Sequence, residues 1–195
     1  GSDGGDNDNQ QLFPFQAWGK HYLTAPTSSS SSPSSFMTNM FKIVVKDPST
    51  IVKRNGVQLT PLPAGYYQFE SNTPDYIEAD KPIMVGQFMT GGTKCMNGGV
   101  GDPEMFFISP LEQGIKRIGF YRNNMESITT NYLTLLIPTA GVNSLNIDGS
   151  TSAAGLTILP HPQQAGYSIV IKRWSAAKAQ CWVQSDSSFT AITYG

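Results

Sequence analysis

Charged residues are scarce in this chain. Only 14% of its 195 residues carry a charge, against roughly a quarter in an average soluble domain. The 13 Lys and Arg and the 14 Asp and Glu nearly cancel, leaving a net charge of −1. The basic residues fall in separate short pairs, Lys53-Arg54, Lys116-Arg117 and Lys172-Arg173. No stripe of positive charge forms, which excludes a nucleic-acid duplex as an expected partner. Long apolar runs are missing too. No stretch approaches the roughly 18 residues of a membrane span. No signal peptide opens the chain, which in a piece of a longer protein carries no information on compartment, and Gly1-Ser2 reads equally as native sequence or as a cloning remnant.

Residues with chemistry are few. His21 and His161 are the two histidines, and Cys95 and Cys181 the two cysteines. There is no Gly-x-Ser-x-Gly elbow, no His-Glu-x-x-His and no Cys-x-x-Cys. Serine hydrolysis and a zinc site are therefore not expected, and neither a catalytic residue nor a cofactor site is assigned. Cys95 and Cys181 fit two readings, one disulfide closing a long loop or two idle thiols. Asp3, Asp6 and Asp8 crowd a Gly/Asn-rich stretch and supply the hard oxygens that calcium prefers. They lack the Gly and Glu positions of an EF-hand loop, and a solvated acidic loop is the plainer reading. Asp102 and Glu104 form a second small acidic group. Glu70, Asp75, Glu78 and Asp80 offer carboxylates, yet nothing singles out a pair for cleaving a sugar bond. Asp80, ahead of Lys81-Pro82, reads as a turn residue.

What is present is β-forming sequence. Val, Ile, Thr, Tyr and Phe gather in short runs separated by turn residues. Strands are expected at Tyr22-Leu23, Phe41 to Lys46, Thr50 to Lys53, Tyr66 to Phe69, Pro82 to Phe88, Met105 to Ile108 and Arg117 to Tyr121. Others follow at Tyr132 to Ile137, Ser144 to Ile147, Leu156 to Leu159, Tyr167 to Ile171, Gln180 to Gln184 and Phe189 to Tyr194. Asn55-Gly56 and Asp148-Gly149 are hairpin dipeptides. No window keeps a 3.6-residue period, and Leu111 to Arg117 holds one helical turn at most. Such spacing predicts an all-β, sandwich-like fold with little or no helix. Residues 1–10 read as a flexible segment. Ser28 to Ser35, all serine except Pro33, reads as a mobile surface loop open to O-glycosylation. The glycine-rich stretch from Gly91 to Gly101 reads as a second variable surface loop.

The two halves echo each other. Pro14, Tyr22-Leu23, Phe41 to Val45, Asn55-Gly56, Ala64-Gly65-Tyr66 and Ala79-Asp80 are followed in the same order by Pro110, Phe120-Tyr121, Tyr132 to Leu136, Asp148-Gly149, Ala165-Gly166-Tyr167 and Ser185-Asp186. Duplication of one unit of about six strands predicts a first β-unit over 11–108 and a second over 109–195, forming one compact domain. Chance likeness of two β-rich halves is the alternative. Aromatics such as Tyr66, Tyr67, Tyr76, Trp174 and Trp182 suit either a glycan-stacking platform or a core. Trp174, following Lys172-Arg173, is the best candidate for an exposed aromatic, and Lys172, Arg173 and Trp174 are the expected ligand contacts.

Four stretches carry a resemblance to a known family. They are Gln16-Ala17-Trp18-Gly19-Lys20-His21-Tyr22, the run from Ala79-Asp80-Lys81-Pro82-Ile83 to Phe88, Gly101-Asp102-Pro103-Glu104-Met105, and Ile108-Ser109-Pro110-Leu111-Glu112-Gln113. In order and spacing the chain resembles the second half of the IgGFc-binding protein N-terminal domain, across nearly all of residues 11–195. The resemblance implies a secreted or cell-surface location and a non-catalytic role binding extracellular protein or glycan, or a spacer role in an adhesive or mucus-type polymer. It hands over no catalytic residues. The family's large mucus protein cuts itself at Gly-Asp-Pro-His sites. Here Glu104 follows Asp102-Pro103, so self-cleavage is not expected.

Overall fold

The computed structural model describes residues 10–89, 103–125, 128–175, 177 and 179–195. It is all-β and sandwich-like, and the described residues form thirteen strands in two antiparallel sheets. The first sheet holds β1 (Gly19–Leu23), β2 (Asn39–Val45), β3 (Val52–Arg54), β4 (Val57–Gln58), β5 (Tyr67–Ser71), β6 (Tyr76–Met89) and β7 (Glu104–Ile108). The second holds β8 (Ile115–Arg122), β9 (Thr130–Pro138), β10 (Asn146–Ile147), β11 (Leu156–Pro160), β12 (Tyr167–Ser175) and β13 (Ala179–Tyr194). Helix among the described residues is limited to short 3-10 segments at Phe15–Ala17, Leu111–Gln113 and Thr139–Ser144.

Each sheet is organised by one long strand that changes neighbours half-way. The start of β6 pairs with β1 and β3, and its end with β2 and β7. The start of β13 pairs with β8 and β10, and its end with β9. The switch is a bulge. His21 faces Glu78 but Gly19 faces Ile83, and Arg117 faces Gln184 but Ile115 faces Phe189. A bulge bends its strand, so one strand contributes to two layers. Between these layers lie Tyr22, Phe41, Ile43, Ile77 and Val85 in the first unit, and Leu133, Leu135, Val170, Val183 and Phe189 in the second. These registers align Tyr22 with Ile118, two residues from the Phe120 that matches it by sequence pattern alone.

The bulges also account for where the strand expectations differ. Asp80 lies within β6 rather than in a turn, and its carboxylate accepts from Ile51 N at 2.8 Å. Pro82 has no N–H to donate, which argues against a strand. It sits in the unpaired bulge, where no ladder bond is needed, so β6 runs on through it. In the same way Gln180 to Gln184 and Phe189 to Tyr194 are one strand. β4 was not expected. Ser144 ends a 3-10 segment and is not part of a strand.

The two hairpin dipeptides act alike. Asn55 and Asp148 both have φ of 52°, followed by Gly56 at 80° and Gly149 at 85°, the paired left-handed residues of a type I′ turn. Each then clips its side chain to the long strand. Tyr76 N donates to Asn55 Oδ1 at 2.9 Å, and Trp182 N to Asp148 Oδ1 at 2.8 Å. The backbone N–H groups of Asn55 and Asp148 return bonds to the carbonyls of Tyr76 and Trp182.

The sheet of the second unit is covered on both faces. Leu133, Leu135 and Ile137 of β9 point into its own core, while Tyr132 and Leu136 point outward with Ile169 and Ile171 of β12. Residues of the first unit, Leu23 and Ala25, cover this outer face. The connection from β1 to β2 thus crosses the seam as a strap. Thr24, Thr27 and Ser28 are buried, and their backbone groups are satisfied by named partners. Thr24 N donates to Asp75 O, Thr27 N to Asn39 Oδ1, and Ser28 N to the Tyr194 hydroxyl at 2.8 Å. Gln87 Nε2 donates to Ala25 O at 3.0 Å.

The serine run is consequently no free loop. Ser28 bridges Phe36, Ser29 N donates to Ser35 O at 2.7 Å, and Ser28 Oγ donates to Pro33 O. The hydroxyls supply the hydrogen bonds that a polar hairpin needs, and burial at its base fixes it. The segments 1–9 and 90–102 lie outside the described residues, and with them the stretch from Gly91 to Gly101 and all but Gln10 of the expected flexible segment 1–10.

The clips differ in one respect. Asn55 Nδ2 also donates to the buried carboxylate of Asp75 at 2.6 Å. Asp148→Ala is expected to cost about 1–2 kcal/mol, and Asn55→Ala about 2–4 kcal/mol because it strips a bond from a buried charge. Denaturant unfolding of both variants checks the order.

Candidate functional site

Four groups of residues were candidates for chemistry, and the members that the structure describes have structural occupations. Lys172, Arg173 and Trp174 lie near the end of β12. Alternation along the strand sets Arg173 on the face opposite Lys172 and Trp174. Trp174 is half-buried against the second core, with its ring 6.0 Å from Phe120 and the Arg122 guanidinium 4.7 Å away over its face. Arg173 points to the other face, above Tyr132. The three do not converge, and Trp174 is not the exposed aromatic that its position suggests. Trp182 stacks under Arg117, and the Trp18 indole donates to Phe13 O at 3.0 Å.

His161 is 4% exposed at the seam. Its Nε2 lies 3.3 Å from Thr24 O, and its Nδ1 accepts from Gln163 N. Burial pushes its pKa below 6.5, opposed by the bond to Thr24 and the nearby Asp75 carboxylate. His21 sits on the surface with Nδ1 2.8 Å from Glu112 Oε1. Glu112 has a lowered pKa despite partial burial, through bonds from backbone N–H groups, Lys20 among them, and from His21. Neither imidazole meets a nucleophile, and no group of three metal-ligating side chains forms among the described residues.

The carboxylates are likewise separate. Asp75 is buried against Arg54 Nε at 3.0 Å, and Glu78 pairs with Lys53 at 3.8 Å. Cys181 is a buried thiol that accepts from Arg122 Nε at 3.1 Å, and burial raises its pKa. Cys95, Asp3, Asp6, Asp8 and Asp102 lie outside the described residues.

What the fold does present is two clefts in matching places, one at each bulge. The first, of about 470 Å³, is lined by Phe15, Lys46, Asp47, Pro48, Lys81 and Pro82. The second, of about 300 Å³, includes Leu111, Lys116, Pro138, Tyr167, Asp186 and Ser188. Phe15 and Leu111 both open a 3-10 turn that follows a proline. Each cleft combines apolar side chains with lysine, carboxylate and hydroxyl groups, the first having Lys46, Lys81 and Thr50. In the first, the Lys81 ammonium and the Ser49 N–H hold the Asp47 carboxyl down at about 2. Sequence reading missed this, because its residues come from three separated segments. It also passed over the apolar Leu12-Phe13-Pro14-Phe15, whose side chains Leu12, Phe13 and Phe15 are exposed.

A family model described as IgGFc binding protein matches residues 1–195. The chain belongs to the IgGFc-binding protein family. No curated protein and no solved structure matches it. The match takes in the whole chain, including the residues before 11, where the motif resemblance stopped. For this IgGFc-binding family member, no described helix is long and apolar enough to cross a membrane.

A buried neutral histidine at the seam ties stability to pH. The folded state binds the His161 proton less readily than the unfolded chain, so its contribution is full above about pH 6.5 and is lost as pH falls toward the folded pKa. The melting temperature should fall on the order of 3 °C between about pH 7.5 and about pH 5.5 from this group. His161→Gln should flatten that slope in thermal scans, and an unchanged slope would remove His161 as its source.

Proposed function

We propose that this chain is a non-catalytic extracellular interaction module, which binds protein or glycan partners through surfaces held on a rigid β-frame. The observation that carries this reading is the whole-chain match to a family described by what it binds. The two clefts at the bulges support it, because each places polar groups beside an apolar wall on well-paired strands. Secretion or display at a cell surface follows from the same family reading. The matched bulges, hairpins and side-chain clips support descent of the two β-units from one duplicated unit.

A second reading, a spacer or assembly unit of an adhesive polymer, is favoured by one feature. Apolar side chains are exposed at both the first turn and the β8 edge.

An array of glycans and secreted proteins, immunoglobulin Fc among them, separates the two. Saturable binding to a protein or glycan is expected, weakened by Lys81→Ala or Lys116→Ala about 10-fold. Absence of any specific binder across the array would favour the assembly reading.

A further inference from the structure

The contact between the two β-units has two halves, and a counterpart of each half stands partly open among the described residues. Inside the chain, the turn at Leu111–Gln113 lies on the edge of β1. The Pro110 ring packs so closely on Gly19 that a Cβ there would overlap it. Glu112 Oε1 accepts from Lys20 N at 3.0 Å and meets His21 Nδ1 at 2.8 Å. The edge of β1 is thereby capped.

β8 is the counterpart of β1. Ile115 and Arg117 hold the ladder positions of Gly19 and His21 on either side of the bulge, which puts Lys116 at the place of Lys20. Among the described residues β8 pairs only with β13, and no cap like Glu112 is described at Lys116. Ile115 and Ile118 are each 39% exposed, whereas Tyr22, the counterpart of Ile118, is 1% exposed. At the other end, the turn at Phe15–Ala17 follows Pro14 as the turn at Leu111–Gln113 follows Pro110. Leu12 and Phe13 before it and Phe15 within it stay 40–46% exposed, although the Phe13 ring lies 5.7 Å from that of Phe107 and the Lys46 ammonium 4.4 Å over Phe15. Single exposed apolar residues are ordinary, but apolar residues along an open strand edge mark a contact surface.

We infer that the occupant of the β8 edge is the N-terminal turn of a second copy of this chain, so that copies associate head to tail. Gln16 stands where Glu112 stands in the internal contact, and its amide oxygen accepts the edge N–H at Lys116. Ile115 in place of Gly19 changes the character of the contact. Pro14 cannot close onto backbone, and Ile115 instead meets Phe13 and Phe15. Pairing of β8 with another β8 is disfavoured, because Lys116 and Arg117 would face their own like charges. The two surfaces differ, so the contact is heterologous and propagates rather than closing into a two-fold dimer. The inference rests on the correspondence of the two units and not on which outside partner the module binds.

Sedimentation and light scattering over a concentration series test it, with two variants. The pair Phe13→Asp with Phe15→Asp disables the turn, and Ile115→Lys with Ile118→Lys disables the edge. Wild type should form species larger than a dimer as concentration rises. Each variant alone should self-associate at least about 30-fold more weakly, as loss of a buried anchor does. An equimolar mixture of the two should recover a discrete one-to-one dimer, since each supplies the intact surface that the other lacks. Circular dichroism confirms that both remain folded, and Gln16→Ala gives a milder turn variant if either does not. A wild type that stays monomeric throughout, or a mixture that stays monomeric while wild type associates, overturns the proposal.

Discussion

The sheet of β9, β12 and β13 is apolar on both faces, and this constrains everything else. Its inner face belongs to the second core, while the outer face, with Tyr132, Leu136, Ile169 and Ile171, is covered by Leu23, Ala25, Phe36 and Tyr76 of the first unit together with Leu111. Each such side chain contributes about 1.5–3 kcal/mol only if water is kept off it. The strap from β1 to β2 supplies part of that cover. It runs through low-propensity sequence, and its buried backbone is satisfied by Asp75, Asn39, Gln87, Tyr194 and His161. A polar seam of this kind fixes position more than it adds stability, since each bond replaces one to water. It holds the two units in one arrangement, and the acid sensitivity of His161 sits in that seam.

The bulges set where the two clefts lie. A strand that must serve two layers has to bend, and the bend leaves a few residues without ladder partners. Around those residues, in both units, the first turn and the loop after the second strand come together into a cleft. The rigid pairing on either side means that these surfaces need little ordering when a partner arrives. The groups available there are lysine, carboxylate and hydroxyl, which suit the proposed role in recognition. The histidines are spent on the seam and on Glu112.

Most of the strands were legible in the sequence because each core-facing run alternates with turn residues, and Asn55-Gly56 and Asp148-Gly149 announce their hairpins. The family was legible from the stretch around Ala79 to Phe88. What was hidden was hidden by local composition. Asp80 looks like a turn residue, and Pro82 like the start of a strand, unless the bulge is known. Ser28 to Ser35 looks disordered because nothing local shows that Tyr194, far along the chain, receives its base. Trp174 looks exposed beside two cations, yet one of its partners, Arg122, comes from another strand. The clefts were illegible for the same reason, being assembled from the first turn, a loop and a bulge.

If the strap makes the two units one folding body, their innermost strands must open together. Native-state hydrogen exchange under rising denaturant measures this directly. The slowest amides of β6 and of β9 should converge on one opening free energy and one denaturant slope. Exchange of β9 and β12 through a cheaper opening, with β6 still protected, would contradict the account.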